Sequence, residues 1–439
     1  MNHPLRILLV AGAALATVTP RTACSQDAYT SWSQVEAAKE TREYKEKLRD
    51  GGAIDDTAKA FLNKIALPQL ALDANRGIID RVRRRIRELL LTDIGDEKAF
   101  EEASRTIRDF MLVMAGDAKA DPAVRVNAML MVGDLRAANG KPWPAAAAPL
   151  ATAAGDATLP MGVRVAALAG LARHAEAARS AADDVAEAFA KEALPTVVAL
   201  VADAAKPAEA ASRTVENAWM TSRALTILPI VMRAAPQEVA ASLATIMADG
   251  SWPIDVRIRA AAALGATAKP ESGVDALHAL EAVRGLAVAA LDADVAAADR
   301  RRSEQLFRGT APGQATGDAG AGATTPDAAP IPEHAARRDA WRMALLADAV
   351  LDDEGDRGLA KLAAEAGDAA AELAKKLREN ARTLDAAPNR ASVMEAITSL
   401  AVAPGAAPPQ AAPAGAQPEA AAPEPEPAVN PFEANPFGQ

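Results

Sequence analysis

Side chains that attack, shuttle protons or ligate metals are sparse here and poorly grouped. Beyond residue 25 the histidines are His174, His278 and His334, and none has a second His or a Cys at ligand spacing. Each therefore reads as a surface or packing histidine. Asp352-Asp353-Glu354-Gly355-Asp356 could attract a hard cation, but its spacing is not that of a twelve-residue calcium loop, and an acidic turn between helices accounts for it. Gly317-x-x-Gly320-x-Gly322 has no strand before it, which removes the phosphate-cradling reading. No zinc-protease, P-loop or nucleophile-elbow pattern occurs. The expectation is a chain with no catalytic residue, no metal and no cofactor, and not an enzyme.

Two stretches offer binding chemistry instead. Arg81, Arg83, Arg84 and Arg87, with Arg85 between them, could form an anion face for a lipid, glycan or polymer, or a solvated helix face with Asp80 and Glu88 as neighbours. The second is Asn430-Pro431-Phe432, which returns as Asn435-Pro436-Phe437 in a stretch otherwise poor in large apolar residues. Asn-Pro favours a turn that would present each Phe as an anchor for a partner's groove. A partner tag and drift within low-complexity sequence both remain open.

These features must be carried by helices. Half of the 439 residues are hydrophobic but only 3% are aromatic. Alanine supplies much of the apolar count, favours helix and buries little area per residue. Such a core needs many small contacts along the chain, as stacked helices provide. The formal charge of −10 argues against nucleic-acid binding, which needs excess Lys and Arg to displace phosphate counterions.

At the N-terminus, Arg6 lies within an apolar run from Leu5 to Val18, and Ala23-Cys24-Ser25 follows. That pattern predicts a signal peptide over 1–25, an exported protein of the periplasm or cell envelope, and no transmembrane segment in the mature chain. A lipid anchor at Cys24 is the competing reading. Arg21 argues against it, because that motif wants an aliphatic residue there.

One phrase then recurs. Asp156 through Pro160 to Val163-Arg164-Val165 returns as Asp249 through Pro253 to Val256-Arg257-Ile258, and a looser copy runs from Asp117 to Val124-Arg125-Val126. An Asp stands eight residues before each Arg, and a small residue stands eight after it (Gly133, Ala172, Gly265). Arg125 and Arg164 are 39 residues apart and Arg164 and Arg257 are 93 apart, so a degenerate copy is expected between the last two. Proline fixes φ near a helix start, Asp serves the turn, and the small positions let helices touch.

This pattern resembles HEAT repeats. The resemblance implies paired antiparallel helices stacked as an α-solenoid, with Asp117, Arg125, Asp156, Arg164, Asp249 and Arg257 as a ladder between units. HEAT-repeat proteins share an architecture and no common reaction.

The expected fold is thus all-α: an N-terminal helical region over 26–116, HEAT-like repeats over 117–308, a flexible insertion over 309–333, a helical cap over 334–403 and a disordered Ala/Pro-rich tail over 404–439. The degenerate unit is expected as helices over 192–202 and 212–235, with Pro229 shortening the second. In the cap, helices are expected over 336–351, 359–366 and 369–384, and Ser392 has capping-box spacing to Glu395 before a last short helix. The expected function is a protein–protein interaction scaffold. The other possibility is an accessory subunit of an exported enzyme complex, holding an anionic ligand at the arginine run.

Overall fold

A computed structural model describes residues 30–92, 94–138, 140–141, 143–207, 213–232, 235–309, 331–351, 358–362 and 367–401. The predicted signal segment with Cys24, most of the predicted 309–333 insertion, Asp352 to Asp356 and the tail with both Asn-Pro-Phe copies lie outside the described residues. Those described form sixteen α-helices and no strand. None of the helices is long and apolar enough to cross a membrane. The chain divides into two compact units, Met1–Phe110 and Met111–Gln439.

The first unit holds α1 (Trp32–Ala37), α2 (Lys39–Arg49), α3 (Asp56–Phe61), α4 (Ile79–Leu91) and the start of α5 (Glu97–Gly116). After Phe61 the helix widens into a π turn over Leu62–Ala66 and tightens into 3-10 turns over Leu67–Ala71 and Asp73–Ile78. Pro68 explains the change, since it donates no hydrogen bond and its ring crowds the carbonyl four residues back. Tyr44 packs on Phe61 with ring centroids 5.1 Å apart, and its hydroxyl donates to the Leu90 carbonyl at 3.2 Å. In α4 the apolar residues Val82, Ile86, Leu89 and Leu90 are buried, whereas Ile78 is the helix cap and is exposed. Asp96 caps α5 by accepting from the Ala99 N–H.

In the second unit, a first set comprises α7 (Pro144–Gly155), α9 (Asp183–Ala204), α11 (Gln237–Ala248) and α13 (Ala276–Gly309). A second set comprises α6 (Pro122–Asp134), α8 (Met161–Arg179), α10 (Val215–Val231), α12 (Ile254–Thr267) and α14 (Glu333–Val350). Helices of the second set pack in chain order: α6 on α8, α8 on α10, α10 on α12 and α12 on α14. In the first set α7 packs on α9 and α9 on α11. Each of α7, α9 and α11 also packs on the helix that follows it. α15 (Gly367–Ala386) and α16 (Arg390–Ala401) complete the unit, α15 against α14 and α16 against α13.

The small residues set how near these helices come. A Cβ built on Gly133 would lie 2.6 Å from the Gly170 Cα, and one on Gly265 would lie 2.7 Å from the Ala349 Cα. Real Cβ atoms do not approach backbone that closely, so glycine is required at both crossings. On α8 the touching residue is Gly170, two positions before the predicted Ala172.

Two local expectations need correction. The first helix of the degenerate unit begins at Asp183 rather than 192. Asp183 and Asp184 favour a helix start, and Pro195 is accommodated on an exposed face. Ser392 does not cap the last helix; Asn389 does, accepting from the Ser392 N–H at 2.9 Å, so the helix starts at Arg390. Within 359–366 the described part is only a 3-10 turn, Leu359–Lys361. Pro229 lies in the last turn of α10, which stops at Val231.

Candidate functional site

The signature residues build the starts of the second-set helices. The Asp156 carboxylate accepts from the Thr158 N–H at 2.9 Å and its hydroxyl at 2.7 Å, closing the turn before Pro160. Asp249 does the same with Ser251, at 2.9 and 2.6 Å, and Asp117 accepts from the Lys119 N–H. These turn bonds, those from the Thr158 and Ser251 hydroxyls foremost, hold Asp156 and Asp249 below the usual carboxylate range. Each signature arginine turns back to the preceding helix. The Nε–H of Arg125 donates to the Ala115 carbonyl at 2.9 Å, that of Arg164 to Ala154 at 3.1 Å and that of Arg257 to Met247 at 3.0 Å. The phrase thus joins the two helices of a pair, satisfying carbonyls that a helix end leaves open.

The ion pair at this edge uses an arginine outside the signature. Arg213, just before the Thr214 cap of α10, donates to the Ala204 and Lys206 carbonyls and meets Asp249 at 3.0 Å. Its guanidinium lies 4.1 Å over the Trp252 ring. Arg213 thus bonds back to the preceding helix as the signature arginines do, although Ser212 and Thr214 stand where those have aliphatics. Arg164, Asp203, Arg213 and Trp252 line one cavity of about 260 Å³.

The arginine run places Arg81 and Arg84 on the exposed side of α4, with Arg83 and Arg87 half-buried. Arg84 pairs with Asp80 and Arg85 with Glu88, each at 3.2 Å on the same helix. His174 is fully buried, accepts from the Trp143 N–H at Nδ1 and lies against Phe189. Burial first, then the charges of Arg136 and Arg173, push it down to about 3, so it stays neutral. His278 and His334 are exposed. Among the described residues no group of three or more His, Cys, Asp or Glu side chains is placed to hold a metal ion.

Two constellations were not visible in the pattern. One is a buried network where Arg342 of α14 meets Asp255 of α12 (2.7 Å), Asp294 of α13 (2.8 Å) and Asp339 (2.9 Å). Arg338 also pairs with Asp294. Asp339 is fully buried; burial first and then the Asp294 carboxylate push it up to about 8, so Asp339 holds a proton at neutral pH.

The other constellation crosses the second-set helices. Arg173 of α8 pairs with Asp134 of α6 at 3.1 Å. On α10, the Arg223 guanidinium lies 5.1 Å over Trp219. Arg259 of α12 donates to the Thr226 hydroxyl of α10 at 2.9 Å and lies 4.8 Å over Trp341 of α14. Positions 219, 223 and 226 share one helix face, so these groups form a row. Trp341 is 40% exposed and Arg223 also reaches solvent. No protein-family model, curated protein or solved structure matches the chain.

Proposed function

We propose that the protein is a HEAT-like α-solenoid acting as a non-catalytic protein–protein interaction scaffold of the cell envelope, exported through its N-terminal segment. The observation that carries this reading is serial contact: each second-set helix from α6 to α14 packs on the next, and α7, α9 and α11 do likewise. Stacked pairs of this kind bury a continuous core while leaving long edges and faces open, a geometry suited to partners larger than a small molecule. The repeated turn with its back-bonded arginine gives the α5–α6, α7–α8 and α11–α12 pairs the same joint.

Cross-linking in the native envelope fraction tests the function, with the full chain and a chain ending at Ala403 as baits. A partner seen with both places the interaction on the helical units, and one seen only with the full chain places it on the Asn-Pro-Phe copies. Absence of any partner above a mock bait, or recovery of the protein in the cytosol, would sink the reading. Small-angle scattering tests the architecture separately: a solenoid gives an elongated particle, and a compact globule would contradict it.

A further inference from the structure

The row on the second-set helices is anomalous in an acidic chain. Among the described residues, Arg223 and Arg259 have no carboxylate in ion-pair contact. Asp255, one turn before Arg259, has its Oδ1 held by Arg342. Burial and the neighbouring charge of Arg173 hold Arg223 below the usual arginine range, and burial and Arg223 do the same to Arg259 against the opposing charge of Asp255. Each cation thus senses the next along the row, and both remain charged at physiological pH.

The first step of the row shows how a carboxylate is taken. Asp134 reaches from α6 to Arg173 on α8. Between α10 and α12 that place is held by the neutral Thr226 hydroxyl, and Arg223 faces no acid. Each open guanidinium rests on an indole, which orients its fork before any ligand arrives and leaves an apolar surface beside it.

We propose that Arg223 and Arg259, framed by Trp219 and Trp341, bind an extended acidic peptide segment of a partner protein. Its carboxylates pair with the guanidinium forks and an apolar side chain between them rests against the indoles. Packed helices lie about 8–10 Å apart, a distance a chain of polyproline-II type covers in about three residues, which also returns the side chain to the same side. The ligand therefore carries acids about three residues apart. The exposed indole favours a peptide over a purely phosphate polyanion, which would have no use for it. This inference rests on the scaffold reading and names the chemistry of its partner.

The test is fluorescence anisotropy on the full secreted chain with a short labelled peptide carrying glutamate at every third position and one phenylalanine between two of them. Binding should weaken with salt. Arg223→Gln with Arg259→Gln should raise Kd about a hundredfold, two charge-assisted pairs at about tenfold each. The double Lys variant keeps the charge but not the fork and should lose about tenfold. Trp341→Ala should weaken the phenylalanine peptide more than its alanine counterpart, while Arg105→Gln, at an exposed arginine paired with Glu101, leaves Kd unchanged. Unchanged thermal midpoints establish that each variant is folded.

No binding to the unaltered chain, equal affinity in the double Gln variant, or tighter binding of inorganic polyphosphate with no effect of Trp341→Ala would each overturn the proposal. Elongated scattering together with any of these leaves the solenoid standing and removes only the peptide site. A compact particle would instead count against the scaffold reading, whatever the peptide does.

Discussion

Arg257 and Arg259 stand two residues apart on α12 and have opposite surroundings. Arg257 turns back to the Met247 carbonyl of its own helix pair and faces the charge of Asp249. Arg259 crosses to two other helices, meeting a threonine hydroxyl and an indole but no carboxylate in ion-pair contact. Arg125 and Arg164 belong with the first, and Arg223 with the second. The number of arginines on a helix therefore says little. An arginine whose acceptors are backbone carbonyls closes the fold, and one resting on an aromatic ring without a carboxylate in ion-pair contact keeps donors for a ligand.

Breaking that contrast should give graded effects. The largest loss belongs to the most enclosed cation: Arg342→Met takes a buried partner from Asp294 and Asp339, leaving Asp294 with Arg338 alone, and should cost about 3–5 kcal/mol in denaturant unfolding. A loss below 1 kcal/mol would mean the network relaxes without its arginine.

Asp339→Asn should act in the opposite direction. The native carboxyl titrates near 8 and the unfolded one near 3.8. Between those values the native state holds a proton that the unfolded state has released, so stability falls as pH rises through the window. Asparagine can still accept from Arg342 and donate to Asp294. The variant should be more stable at pH 7.5 by on the order of a few kcal/mol, with the gain shrinking toward pH 4. A pH-independent difference would place the proton elsewhere.

Arg213→Met removes the ion pair with Asp249 and two carbonyl contacts and should cost about 2 kcal/mol, less than Arg342 because Asp249 is partly solvated. The smallest effects give the sharpest contrast: Arg257→Gln should cost about 1 kcal/mol and Arg223→Gln less than about 0.5 kcal/mol. Equal losses at the two sites would erase the distinction between closing and outward-facing arginines.

The sequence pattern disclosed the helical class, the signature turns and the need for small residues, because each depends on local spacing. The Asp, Pro and Arg of each turn act within about ten residues of one another, and their bonds follow that spacing. Arg213 escaped notice because its unit lacks the aliphatic flanks, although its position between Arg164 and Arg257 was where a copy was due. The open row was hidden for another reason. Arg223, Arg259 and Trp341 become neighbours only when three helices stack, and periodicity within one helix cannot show which residue of the next lies opposite. The buried network is likewise spread over α12, α13 and α14.

The glycine crossings have a consequence beyond stability. Where Gly133 meets Gly170, and Gly265 meets the backbone of Ala349, no side chain stands between the helices. Distance there is set by main-chain atoms, which are the same in every copy of the protein and cannot change rotamer. These two crossings lie on the same helices that carry Asp134, Arg173, Arg259 and Trp341. They work as the fixed marks of a ruler: a methyl group added at Gly133 would push α6 from α8, and one at Gly265 would push α12 from α14 and draw Trp341 away from Arg259, leaving an apolar ligand group there without its wall.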